Sequence, residues 1–168
     1  MTHLDKIVEF PDEVITKLCQ SQEILDLLAN KKNATIDDIE DEDGNLRYIY
    51  DYEYVMETVV DAKAYICIET LARASSGTIN DMKLYIHIIC HKEFMRLDKK
   101  IFKGIKGNRR DNIARWVDQV LRGDRDFGIG RVEFEQLSAF TLPPNFTGRT
   151  IVYDIPTFGT KPIGRRSY

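Results

Sequence analysis

A chain of 168 residues, 43% hydrophobic and 30% charged, is long enough to bury one real core and too short for two. Its formal charge of −3 gives no global field that would draw it to nucleic acid or to an anionic membrane. No apolar run nears the ~20 residues of a membrane-spanning helix, and MTHLDKIVEF has no cationic segment followed by an apolar one, so no secretory signal is expected.

The first helical signal covers 11–29. Pro11 suits a first helical position, and Asp12 and Glu13 suit the positive end of the helix dipole. Val14, Ile15 and Leu18 share a face. Ser21 then offers a second cap before Ile24, Leu25, Leu27 and Leu28, which predicts two short helices with a bend. Residues 30–45 are polar, and DDIEDED holds six acids in seven residues. A calcium loop is excluded, because setting Gly44 at the sixth position puts Ile39 first and Tyr50 twelfth, where ligands are required. An acidic surface loop is expected.

Strand signals follow in LRYIYDYEYV, AKAYICIET and MKLYIHIICHKEF. In the second, Ala64, Ile66 and Ile68 alternate with Tyr65, Cys67 and Glu69. The third alternates Leu84, Ile86 and Ile88 with Tyr85, His87 and Ile89, which predicts partial cover on both faces. LARASSGTIND between them reads as a small-residue loop, long for a tight hairpin and able to project. Residues 96–110 carry seven Lys and Arg against one Asp and read as a basic loop. Asn108 is a plausible N-cap with Asp111 three residues on. Ile113, Trp116, Val117, Val120 and Leu121 then form an apolar stripe for the core, and Gly123 is a stop. Residues 129–140 read as a strand with Ile129, Val132, Phe134 and Leu137 as its apolar contributors. TLPPNFTGR is a turn, TIVYDIP a last strand, and 161–168 a basic C-terminal arm. The fold class expected is α+β, a mostly antiparallel sheet with an N-terminal helical segment and one central amphipathic helix, in a single domain over 1–160.

Three cysteines exclude a fully paired disulfide framework, and Cys67 and Cys90 sit in apolar runs as buried thiols would. His87 and His91 on one strand would lie ~13 Å apart, too far to share an ion. The glycines of Gly128 to Gly130 follow the C-terminal end of a helix. A phosphate cradle needs strand, glycines and then a helix N-terminus, so nucleotide binding is not expected. Asp61-Ala62-Lys63 with Asp51 upstream could hold Mg²⁺ in a nuclease of the restriction-enzyme type, and this is kept as an alternative. No G-x-S-x-G, HExxH or Walker sequence occurs. No enzyme activity and no cofactor are expected. The lysines of the basic loop, Lys99, Lys100, Lys103 and Lys106, could neutralise phosphates, so a non-specific DNA-binding accessory protein is a third reading. An acidic loop near 40 and a basic loop near 100 also give a polarity that fits head-to-tail association into a ring.

The succession KLYIHIICHKEF, a basic loop, RRDNIARWVDQVLRG and FGIGRVEFEQ resembles the tail-terminator or tail-completion (neck) proteins of tailed phages infecting Gram-positive bacteria. The resemblance lies in the order of elements over most of the chain, not in an invariant motif. It implies a structural virion protein, present in the host cytoplasm during assembly and afterwards in the virion. Such a protein forms a homo-oligomeric ring, commonly a hexamer, that ends the tail tube and meets the head connector. DNA passes through its lumen without sequence recognition, and no membrane is involved. The surfaces expected to contact subunits or DNA are Asp41, Glu42 and Asp43; Arg73, Ser75 and Ser76 of the projecting loop; and Lys99, Lys100, Lys103 and Lys106. The acidic stretch 37–43 and the basic tail 161–168 depart from the resemblance.

Overall fold

The computed structural model describes residues 3–52, 62–75, 78–123 and 131–155. Helix α1 spans His3–Cys19 and helix α2 spans Gln22–Ala29. The break at Ser21 is as the sequence predicts: its hydroxyl accepts the Ile24 amide, and Asn30 closes α2 in the left-handed conformation at φ 54°. The start is not. Ile7, Phe10, Val14 and Leu18 turn one stripe toward the core, so the helix begins eight residues before Pro11 and carries that proline inside. Core burial outweighs the backbone hydrogen bond that Pro11 cannot donate.

The α+β expectation holds. A five-stranded sheet has the order β1-β2-β3-β5-β4, with β1 Ile49–Tyr50, β2 Ala64–Ser75, β3 Thr78–His91, β4 Glu133–Leu142 and β5 Phe146–Asp154. All pairings are antiparallel except β1 with β2, which is parallel. Of the tyrosine-rich run 46–55, only Ile49–Tyr50 is strand among the described residues.

Helix α3, Arg109–Gly123, lies on the same side of the sheet as α1 and α2. Its Ile113, Val117 and Leu121 are fully buried against Ile86, Ile151 and Tyr153. Trp116 and Val120, expected in the core, are half-buried at its edge. The Asn108 cap is present: its side-chain oxygen accepts the Asp111 amide at 2.9 Å, and its amide nitrogen donates to Asp111 Oδ2 at 2.8 Å. On the opposite face of the sheet no helix packs among the described residues. That face carries a smaller cluster of Tyr65, Cys67, Ile89 and Phe146, flanked by Tyr48, Tyr50 and Phe140. The side-chain period of two sorts each strand between these faces.

Two further readings of the sequence are corrected. LARASSGTIND is not a loop: β2 runs to Ser75 and β3 starts at Thr78, and Ser75 pairs with Thr78. Phe134 and Leu137 are each 46% exposed, because β4 is the edge strand and α3 covers it only in part, with Arg122 5.7 Å from the Phe134 ring. The strand starts at Glu133, with Val132 buried just before it. Gly128 to Gly130, and Ile129 with them, lie outside the described residues, as does the 161–168 arm.

Candidate assembly and DNA contact surfaces

The acidic loop is more built than its composition suggests. Buried Asp26 on α2 accepts the Ala34 amide and the Gln22 side chain, both at 2.8 Å, and so shapes the turn after the helix. A 3-10 turn at Ile36–Asp38 then drives Ile39 fully into the core. Asp41 closes the tip, its carboxylate accepting the backbone amides of Asn45 and Asp43, each at 2.9 Å. These bonds, Asn45 first, hold the Asp41 carboxyl below its ordinary range. Asp41 is therefore committed to the turn. Glu42 and Asp43 project into solvent.

The basic loop divides in the same way. Lys99, Lys100, Lys103 and Lys106 are exposed, as is Arg96. Phe102 is buried and anchors the loop, with Lys32 Nζ 5.9 Å from its ring centre. Arg109 is only 1% exposed. Its guanidinium donates to the carbonyls of Phe94 at 2.8 Å and Leu27 at 2.5 Å and to Asn30 Oδ1 at 2.7 Å, and it lies 3.8 Å over the Phe94 ring. Burial lowers its pKa to about 10, still far above neutral pH, so the charge persists inside. Arg110 bonds Asp111 and Thr147. Burial alone would raise the Asp111 carboxyl, but the hydrogen bonds from Arg149, Asn108 and Arg110 outweigh it and hold it down at about 2. Of the seven cations of 96–110, two thus serve the fold and five face solvent.

The sequence places the two loops far apart; the fold places them together. Lys32 and Asn30, at the start of the acidic stretch, contact Phe102 and Arg109 of the basic loop. Lys63, one residue before β2, has its ammonium 6.0 Å from the Tyr48 ring and 5.7 Å from the Phe94 ring, which flank the two loops. Arg109 joins the end of α2 to the start of α3. Both signs of charge therefore share the end of the sheet where β2 starts and β3 finishes. The acidic and basic loops thus both lie toward this end of the sheet. The other end of the sheet is built differently. At the far end, β2 and β3 continue past their other partners: β5 pairs β3 only from Lys83 onward, and β1 pairs β2 only at Ile66 and Cys67. Met82 is still anchored, buried in the core with its carbonyl accepting the Ile155 amide at 2.9 Å. Beyond it, residues 73–75 and 78–81 form a two-stranded arm with a bulge at Arg73/Ala74. The twelve residues of β2 set the arm tip roughly 36 Å from the charged end. Arg73 is exposed on the arm and Ser75 ends its first strand; Ser76 lies outside the described residues.

Of the nuclease residues, two fall within the described part of the chain. Asp51 is exposed, the Lys63 ammonium sits among aromatic rings, and Asp61 lies outside the described residues. His87 and His91 take separate partners: His87 bridges Thr150 at 2.9 Å and Glu69 at 3.3 Å, while His91 accepts the Glu93 amide at 3.1 Å. Among the described residues no group of three or more His, Cys, Asp or Glu is placed to hold a metal ion. All three cysteines are free, and burial pushes the Cys90 thiol up to about 12. Sequence reasoning did not single out the Glu69–His87–Thr150 row. It lies on the helix-free face, and Phe140 beside it covers Gly148 so closely that any Cβ there would fall 2.1 Å from the ring. No described helix is long and apolar enough to cross a membrane.

The family model described as YomW matches residues 21–155, and the chain belongs to that family. The family is named after a gene of a Bacillus phage or prophage, which points to a phage-derived protein. No curated protein and no solved structure matches the chain.

Proposed function

We propose that this YomW-family chain is a non-enzymatic structural protein of the virion, working at the head–tail junction. In this reading it forms a ring, of six subunits as in the proteins it resembles, that ends the tail tube and joins it to the head connector. The observation that carries the reading is the placement of two chemically different surfaces at opposite ends of one sheet, in a chain from a phage family. A junction subunit has to meet two different partners along one axis, and two unlike ends provide for that. The charged end also suits a DNA lumen. Five exposed cations attract phosphate, while the exposed Glu42 and Asp43 toward the same end lower the net field, so passing DNA is met without being held.

The test is genetic. A phage carrying an early stop codon in this reading frame should accumulate filled heads separate from tails, and the tails should vary in length. Normal virions from that phage would overturn the proposal.

A further inference from the structure

Strand β4 lies at the end of the sheet and, among the described residues, pairs only with β5. It is ten residues long and nearly all of it is exposed. Phe134 and Leu137, each 46% exposed, and Leu142, 38% exposed, are all on this one strand. Soluble proteins blunt such edges with charge, bulges, proline or brevity, because the free amides and carbonyls pair readily with another chain. Here those devices sit only at the two ends. A bulge lies between Phe134 and Gln136, with Glu135 held by Lys83, and Pro143–Pro144 follow the strand. Between them Gln136–Leu142 is uncharged and keeps a regular register with β5. This stretch is centred on Ala139.

We propose that the outer edge of β4 binds a second copy of the same strand, antiparallel, about a two-fold axis at Ala139. The charges select this occupant. In the antiparallel arrangement Glu133 and Glu135 of one copy fall beside the Pro143–Asn145 turn of the other. There Lys92 is exposed, with its ammonium 2.9 Å from the Pro144 carbonyl. A parallel, in-register pairing would instead set glutamate on glutamate, which is unfavourable. The side-chain layer agrees. Next to the edge, on the helix side, lies a cavity of about 450 Å³ whose apolar wall is Ala114, Phe134, Leu137 and Ile151 and whose rim is charged side chains of α3 together with Arg149. A strand added to β4 covers it and removes Phe134 and Leu137 from water.

The same patch is used on both copies, so the contact closes as a pair and cannot by itself make a ring. It is independent of the proposed ring and would join two free subunits, or two rings face to face.

Ala139 is exposed and meets its own copy at the axis. Ala139→Lys and Ala139→Glu each place like charges opposite one another, while a mixture of the two places opposite charges together. The wild type should show a species of two 19.5 kDa chains, or an even multiple where rings have formed. In native mass spectrometry each variant alone should halve that mass, and the equimolar mixture should restore it. Circular dichroism of each variant checks that the fold is kept, and recovery in the mixture excludes simple unfolding. A wild type showing only single chains or odd-numbered species would overturn the proposal. So would variants that keep the full mass, or a mixture that fails to recover it. A ring built on other surfaces would survive all three samples with its subunit number unchanged, which separates failure of this contact from failure of the ring.

Discussion

The two ends of the sheet are held by different physics. The charged end is assembled from buried polar groups: Asp26 organises the turn after α2, and Arg109 bonds three oxygens and stacks on Phe94. Among the described residues the arm end has its own ladder, since residues 73–75 and 78–81 extend beyond β1 and β5. A buried cation with several neutral acceptors fixes one geometry, because any other arrangement leaves polar groups unmet. A two-stranded ribbon fixes much less and bends readily, as marginal hairpins do. The difference suggests a division of labour, with a shaped charged end and an adaptable arm.

The largest effect should come from breaking the charged end. Arg109→Met keeps much of the side-chain volume but leaves the Leu27 and Phe94 carbonyls without their donor. Urea denaturation should show a loss of roughly 3 kcal/mol. A loss under about 1 kcal/mol would mean that water or a neighbour satisfies those carbonyls, and the contrast between the ends would weaken. The smaller effect should come from the arm. Replacing residues 73–81 with Asn-Gly leaves Ala72 opposite Met82 and closes the shortened hairpin on a favoured turn. Stability should change by about 1 kcal/mol or less, because most of what is removed has only its cross-strand partner to support it. A large loss would show that the arm belongs to the core after all.

Much of this was legible where the cause is local. Ser21 and Asn108 cap helices through side chains three residues from the amides they bind, so both could be found by spacing. The alternation through Ala64, Ile66 and Ile68 marked a strand because one face of it is buried. The arm was hidden for the converse reason. LARASSGTIND has no apolar alternation to mark it, and its strand state comes from the ladder that β2 and β3 have already begun. Arg109 was hidden because its sequence neighbours place it in a solvated basic run, while its burial depends on α2 and Phe94. Exposure of the four loop lysines followed from composition. Their position at the same end of the sheet as the acidic loop depended on the fold bringing together the segments on either side of the β2–β3 hairpin. The edge position of β4, and with it the exposure of Phe134 and Leu137, was set by strand order, which periodicity does not encode.

The account's central claim is a ring at the end of a tail tube. Electron microscopy of the purified chain mixed with its phage's assembled tail tubes tests it most directly. The account predicts a closed ring capping one end of each tube, with all subunits presenting the same sheet end toward the tube. Tubes left bare at both ends, with the chain remaining as single subunits or pairs, would contradict it.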